Sequence, residues 1–109
     1  MKTNELTGEA LDWAVAKCEC IPVEKSEDGK LTINSQWDYW FPSSDWSQGG
    51  AIVERERICL IDQGGDYWQA ICGWKEAFGD TPLIAAMRCY VASKLGDEIE
   101  VPDEIVNYA

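Results

Sequence analysis

The sequence contains no histidine. Histidine is the commonest general base and a frequent zinc ligand, so its absence removes both familiar catalytic triads and the ordinary zinc-binding patterns. The five cysteines, at positions 18, 20, 59, 72 and 89, include no C-x-x-C pair. No glycine-rich segment has the lysine and the spacing of a phosphate-binding loop. The sequence therefore predicts no catalytic site, no metal and no cofactor.

Basic residues are also scarce, since 9 lysines and arginines stand against 20 acidic residues and give a net charge of −11. Such a charge disfavours direct binding to nucleic acid or to an anionic membrane, because both depend on basic side chains. The longest apolar run is too short to cross a membrane, and the first residues have no apolar core of a signal peptide. We therefore expect a cytoplasmic protein.

The length of 109 residues and the 46% apolar share are typical of a single globular domain over residues 1–109. Six tryptophans are many for this length. The acidic segment at 97–109 contains Pro102 and is predicted to be a peripheral tail.

Two helices are predicted, at residues 8–17 and 82–95. Thr7 is a suitable N-cap for the first helix because its hydroxyl can accept a hydrogen bond from a free amide of the first turn. For the second helix, Thr81 is the cap, Pro82 the first helical residue and Gly96 the stop. The apolar stripe of the first helix recurs at helical spacing, at Leu11, Ala14, Val15 and Cys18.

The helix at 82–95 is apolar on most sides, which favours a central place in the fold. One of its sides carries small residues, namely Ala85, Ala86, Cys89 and Ser93. This side is predicted to pack within the domain or, alternatively, against a second copy of the chain in a homo-oligomer.

The strands are predicted as hairpins. One joins residues 21–23 to residues 31–33 through a turn with an Asp-Gly pair. The other covers residues 58–74, with the alternating residues Trp68, Ala70, Cys72 and Trp74 on one face. The predicted fold class is α+β, with a small antiparallel sheet of hairpins packed against the two helices.

The most unusual segment is 34–50, in which five aromatic residues fall within ten positions. It is interpreted as a short strand that runs into an ordered loop after Pro42. Gly49 and Gly50 permit a positive φ or a close approach of another backbone. Residues 51–57 are predicted either as one or two helical turns or as a strand.

This tryptophan-rich loop is the best candidate binding site. In the structural interpretation Asp45 caps the following turn and Trp46 fills the core. In the functional interpretation Trp37, Trp40 and Trp46 anchor a partner, since tryptophan is common at interface hot spots. The candidate binding residues are Trp37, Trp40, Ser43, Ser44, Asp45, Trp46, Gln48, Gly49 and Gly50.

Two long segments, 41–56 (FPSSDWSQGGAIVERE) and 81–96 (TPLIAAMRCYVASKLG), resemble the NinX-like proteins of lambdoid phages, as does the stretch LTGEALDW at 6–13. One departure is Ala51, where many relatives are expected to carry proline, which leaves the start of the element around it open. The resemblance implies a phage or prophage accessory protein that acts in the bacterial cytoplasm. It carries no reaction, ligand or catalytic residue over to this chain.

Two functions remain as hypotheses. The first is non-catalytic binding of a host protein through the tryptophan-rich loop and the acidic surface, in one version by imitating the charge of nucleic acid. The second is binding or sequestering of a small nucleotide-like ligand by stacking on tryptophan. A phosphate ligand would require Arg55, Arg57 or Arg88 to converge on the site. An enzyme is the least favoured function.

Overall fold

The computed structural model of the chain describes residues 2–25, 30–33, 38–102 and 105. The strands form two antiparallel sheets of three strands each, in the orders β1-β2-β3 and β4-β5-β6. The fold class is α+β, which confirms the prediction. In chain order the elements are a 3-10 helix at Thr3–Glu5, α1 at Gly8–Glu19, β1 at Glu24–Lys25, β2 at Leu31–Ile33, β3 at Asp38–Tyr39, α2 at Trp46–Glu56, β4 at Cys59–Asp62, β5 at Trp68–Cys72, β6 at Lys75–Gly79 and α3 at Pro82–Leu95.

Helix α1 confirms the first predicted helix and continues two residues beyond its predicted end. Thr7 occupies the N-cap position, but its side chain makes no capping hydrogen bond. The predicted hydroxyl cap is therefore wrong, and Gly8 follows with a left-handed φ of +54° that departs from regular cap geometry. The predicted stripe faces the core, since Leu11, Ala14 and Val15 are fully buried.

Helix α3 confirms the second predicted helix and lies at the centre of the fold. The Thr81 hydroxyl accepts a hydrogen bond from the Ile84 amide at 3.1 Å, as the cap prediction requires. The helix packs against all three strands of the second sheet and against α1 and α2. Ala85, Ala86 and Cys89 are completely buried inside one chain. The chain's own elements therefore cover these three residues, whereas Ser93 on the same side is exposed, and a homo-oligomer through this helix stays a prediction.

The second sheet confirms the predicted hairpin at 58–74, with Cys59 opposite Ile71 and Asp62 opposite Trp68. Strand β6 is an element that the sequence interpretation missed. Alternation predicts Trp74 on the same strand face as Cys72, but it lies in the two-residue turn between β5 and β6 and is fully exposed, at 103%. Gly73 precedes it with φ of +62°, which is the signature of a tight hairpin turn with glycine at its first central position.

The first sheet contains the other predicted hairpin, in which Glu24 pairs with Thr32 and Lys25 with Leu31. Its first strand lies just after the predicted residues 21–23. The predicted Asp-Gly turn lies outside the described residues. Strand β3 then pairs antiparallel to β2, with Thr32 opposite Tyr39.

Helix α2 corrects the prediction of an ordered loop between Pro42 and residue 50. It begins at Trp46 and includes both glycines. The helix starts early because Asp45 caps it: the Asp45 carboxylate accepts a hydrogen bond from the Ser47 amide at 3.0 Å. The helical alternative for 51–57 is confirmed up to Glu56, and Arg57 ends the helix in a left-handed conformation.

The segment after α3 is tied to the amino-terminal residues. The Thr3 amide donates to the Asp97 carbonyl at 2.8 Å, and Lys2 forms an isolated bridge with Glu98. Ile105 is buried, whereas Asp97 and Glu98 are exposed, so the described part of this acidic segment packs on the core only in part. Among the described residues, no helix has both the length and the apolarity that a membrane span requires.

Candidate functional site

Three large aromatic side chains are exposed within eight residues of the chain. Tyr39 is 44% exposed, Phe41 40% and Trp46 53%. We call these three residues the aromatic surface. Tyr39 ends β3, Phe41 precedes the turn, and Trp46 begins α2, so one strand end and one helix start present them to solvent.

Trp40 has the opposite role. It is buried, its indole N–H donates to the Asp12 carbonyl at 2.8 Å, and its backbone amide donates to the Leu31 carbonyl at 2.9 Å. Its ring therefore anchors the segment to α1 and β2. This placement corrects its interpretation as an exposed anchor, whereas Trp46 lies on the surface instead of filling the core as the structural interpretation expected. Trp37 lies outside the described residues.

The turn between the aromatic residues is held at both ends. Ser43 is buried, and its amide donates to the Asp12 carboxylate at 2.8 Å. The Phe41 carbonyl accepts from the amides of Ser44 and Asp45, each at 3.1 Å. Ser43 therefore serves as a structural residue, while Ser44 and Asp45 remain accessible beside the aromatic surface.

The Gln48 side chain joins the strand segment to α2. Its carbonyl oxygen accepts from the Phe41 amide at 2.8 Å, and its amide group donates to the Tyr39 carbonyl at 2.8 Å. Both partners belong to the aromatic surface. Gln48, a candidate binding residue from the sequence, therefore fixes the backbone of these two residues.

The two glycines let α2 lie close to its surroundings. A Cβ atom on Gly49 would lie 2.2 Å from the Pro42 carbonyl oxygen and 2.8 Å from a Leu83 methyl. Among the described residues, a Cβ atom on Gly50 would meet only the Trp46 ring, at 3.3 Å. Neither glycine has a positive φ, so the close-approach alternative is the correct one of the two that the sequence left open.

A cavity of about 290 Å³ lies beside the aromatic surface. Its size falls at the lower end of the range for small-molecule pockets. Sequence reasoning did not include Glu9, Asp12 or Lys30 in the site. Asp12 could have been identified from the sequence, because it borders the apolar stripe of α1 directly after Leu11, and a carboxylate is unusual beside a buried stripe. The lining residues are Glu9, Asp12, Lys30, Leu31, Tyr39, Trp40, Phe41 and Ser44.

The cavity carries charges of both signs. The Glu9 carboxylate forms an ion pair with Lys25 at 3.1 Å, and the Lys30 ammonium lies over the Tyr39 ring, 5.3 Å from its centroid. Burial raises the pKa of Asp12 from 3.8 to about 6; hydrogen bonds from Ser43 oppose this rise in part, and the charge of Glu9 adds to it. Asp12 is thus a buried carboxylate that ionises near neutral pH.

Asp12 should make the stability of the protein depend on pH. Its folded-state pKa lies above the unfolded-state value, so the folded chain holds this proton more tightly between about pH 4 and pH 6. As the pH rises through this window, the free energy of unfolding should therefore fall by on the order of 2 kcal/mol. Asp12→Asn removes this titration. In urea unfolding, the free energy of unfolding of the variant relative to that of the natural protein should therefore be higher at pH 7 than at pH 4, by the same amount. An equal difference at both pH values would contradict the account.

The arginines that a phosphate ligand would require do not meet at this cavity. Arg55 donates to both carboxylate oxygens of Glu19, at 2.9 and 2.6 Å, and also to the Tyr90 hydroxyl at 3.0 Å. Arg88 donates to the carbonyls of Leu6 and Phe78. Neither these two residues nor Arg57 lines the cavity.

Cys18 and Cys20, at the end of α1, differ in their exposure. Burial raises the pKa of Cys18 to about 12, and the charge of Glu19 adds to this effect. The Cys18 thiol is therefore protonated at neutral pH, whereas Cys20 is exposed. Among residues 2–25, 30–33, 38–102 and 105, no three potential metal ligands of the Cys, Asp or Glu type are grouped around a point.

The comparisons with known proteins identify a family. The family model described as "Bacteriophage P22, NinX" matches residues 2–94, which is well over half of the chain and covers α1, the aromatic surface and almost all of α3. A search of the curated proteins found no match to this chain.

Proposed function

The chain belongs to the NinX family of phage proteins, and from this premise we propose that it binds a host protein, without catalysis, through the aromatic surface and the neighbouring carboxylates. It is a phage accessory protein, and the proposal places its action in the cytoplasm of the bacterial host. The observation that carries the proposal is the exposure of Tyr39, Phe41 and Trp46 on a backbone that hydrogen bonds to Gln48 and Asp12 hold in place.

The fixed backbone supports binding because it lowers the entropy cost of association. An interface that is ordered before it meets its partner loses little conformational freedom on binding. Gln48 and Asp12 both hold the segment from the protein side, and aromatic side chains have few rotatable bonds to immobilise. Exposed aromatic residues on such a support are typical of interface hot spots.

The charge supports a basic partner. The net charge of −11 attracts basic protein surfaces over a distance of about one Debye length, roughly 8–10 Å at physiological salt. Next to the aromatic surface, Glu9 and Asp12 supply carboxylates and Tyr39 already holds an ammonium over its ring. The excess of carboxylates over the whole chain favours a host protein with a basic surface, and imitation of nucleic-acid charge is one version of this proposal.

The test compares two exposed tryptophans. Trp46 belongs to the aromatic surface, whereas Trp74 lies at a hairpin turn and serves as the matched control. We expect Trp46→Ala to weaken binding of a host protein recovered from infected cells by about 30-fold or more, because hot-spot residues contribute about 2 kcal/mol or more. Trp74→Ala should change this affinity by less than about twofold.

Two outcomes would contradict the proposal. One is that the natural chain, immobilised on resin and incubated with an extract of infected cells, binds no host protein beyond those that bind the empty resin. The other is that Trp46→Ala and Trp74→Ala weaken binding equally, which would place the contact elsewhere. Thermal unfolding of both variants controls for loss of fold, and both should retain the natural midpoint because the two side chains are exposed.

A small ligand is the second candidate function, and the cavity of about 290 Å³ with its walls of Tyr39, Trp40 and Phe41 favours it. A neutral aromatic ligand is better suited than a nucleotide, because the lining includes two carboxylates and no arginine. Titration of the tryptophan fluorescence with nucleosides and nucleotides tests it. An unchanged spectrum at millimolar ligand would eliminate this candidate.

A further inference from the structure

One edge of the second sheet has no neighbouring strand among the described residues. Strand β6 is the outer strand of the order β4-β5-β6. A two-residue turn joins Cys72 to Lys75, so this pair exchanges both of its backbone hydrogen bonds. The pairs Ala70–Ala77 and Trp68–Gly79 follow the same pattern by alternation. The backbone groups of Glu76 and Phe78 therefore point away from the sheet.

The chain covers this edge only in part. Arg88 of α3 donates to the Phe78 carbonyl at 2.7 Å and to the Leu6 carbonyl at 2.8 Å. Within the described part of the chain, no backbone hydrogen bond joins Glu76 or Phe78 to a segment outside the sheet. The Glu76 amide and carbonyl and the Phe78 amide thus remain available in the plane of the sheet.

A groove follows this edge. It consists of two adjoining cavities of about 430 Å³ each, which share Asn4, Glu76, Ala77 and Arg88. One end of the groove is aromatic, where the rings of Tyr67 and Phe78 lie 5.7 Å apart. Its acidic lining residues are Glu76, Asp80, Asp97 and Glu98, and its basic ones are Lys2 and Arg88.

We propose that the groove along β6 binds an extended, basic peptide segment of a partner protein, which adds as a strand to the outer edge of this sheet. Main-chain hydrogen bonds to Glu76 and Phe78 would supply part of the affinity, as in other cases of strand addition. The excess of carboxylates in the groove selects a basic segment. The same charge opposes a second copy of this chain, since an antiparallel pair of β6 strands would bring the Glu76 side chains and their acidic neighbours together.

The test uses an eight-residue peptide, acetyl-Lys-Val-Lys-Val-Val-Lys-Val-Lys-amide, as the probe. A control peptide has the same charge but two adjacent prolines at its centre. Adjacent residues of a strand direct their N–H groups to opposite edges, so the two prolines remove one hydrogen-bond donor from each edge. We expect saturable binding of the probe below about 1 mM and at least about tenfold weaker binding of the proline control. A peptide with glutamate in place of lysine should not bind.

Two variants separate the main chain from the charge. Glu76→Pro removes the outward amide and leaves the bonds to β5 in place, because proline is tolerated where the N–H of an edge strand faces solvent. Glu76→Gln removes the charge and keeps that amide. We expect the proline variant to weaken probe binding by about tenfold and the glutamine variant to weaken it less.

Amide hydrogen exchange on the unaltered protein locates the contact and does not depend on any variant being folded. The amides of Glu76 and Phe78 should exchange quickly in the free protein and slowly with the probe. The proposal is overturned if the proline control binds as well as the probe, if protection appears elsewhere, or if binding does not saturate. It is also overturned if the chain alone sediments as a dimer with these amides protected. The proposed binding at β6 does not depend on the aromatic surface, so this proposal and the proposed function can each fail independently of the other.

Discussion

Gly49→Ala should lower the free energy of unfolding by about 3 kcal/mol, although alanine is the better helix former by about 1 kcal/mol. The added methyl group would lie 2.2 Å from the Pro42 carbonyl oxygen and 2.8 Å from a Leu83 methyl. The carbonyl belongs to the backbone of a turn that Asp12 holds from the other side, so it cannot move without loss of other contacts. Urea unfolding at pH 7 measures the effect as a lower midpoint at an unchanged slope.

Gly50→Ala provides the matched control one residue further along α2. Among the described residues, its methyl group would meet only the Trp46 ring at 3.3 Å, and that ring is exposed and free to shift. The gain in helix propensity should dominate, and the variant should be unchanged or more stable by up to about 1 kcal/mol. If the two variants are equally stable, the close contact between α2 and the turn does not exist as described.

Trp40→Ala should cost about 4 kcal/mol, the loss typical of removing a large aromatic side chain from a core. The ring is 8% exposed and its N–H satisfies the Asp12 carbonyl at 2.8 Å. The variant would also release the strand end that carries Tyr39 and Phe41. We therefore expect slower binding of any partner and faster amide exchange in residues 39–45, besides the lower midpoint in urea.

Trp40→Phe separates the ring from its hydrogen bond. Phenylalanine retains much of the apolar surface but leaves the Asp12 carbonyl without its donor, which should cost about 1–3 kcal/mol. The order of stability is then natural protein, Trp40→Phe, Trp40→Ala. A Trp40→Ala variant as stable as the natural protein would show that the ring is not a core residue.

The helices were predictable because their signals are local. Thr81, Pro82 and Gly96 bound α3 by backbone chemistry that neighbouring residues alone determine. The start of α2 was not predicted, since two glycines and a serine have low helix propensity. The Asp45 cap starts this turn of helix, and the close approach of the Pro42 and Leu83 atoms leaves no room for a Cβ atom at position 49. The cap is a local signal, whereas Leu83 lies in a distant part of the sequence.

The roles of the tryptophans could not be predicted from alternation. Alternation predicts one face for Trp74 and Cys72, but the turn at Gly73 ends the strand before Trp74, which is exposed while Cys72 is buried. In a strand, alternation puts Trp40 on the side opposite to Tyr39 and Phe41, but it does not show which side faces the core. That choice depends on Asp12 and Leu31, which bind the two ends of Trp40 from other elements. The cavity beside the aromatic surface depends on the same long-range packing.

The most direct measurement of the central claim is site-specific photocrosslinking in infected cells. Benzoylphenylalanine replaces Trp46 in one sample and Trp74 in the other, because both positions are exposed and both accept an aromatic side chain. The account predicts a covalent adduct with one host protein from position 46 and none from position 74. Equal labelling at the two positions, or no adduct at position 46, would contradict a partner-binding role for the aromatic surface.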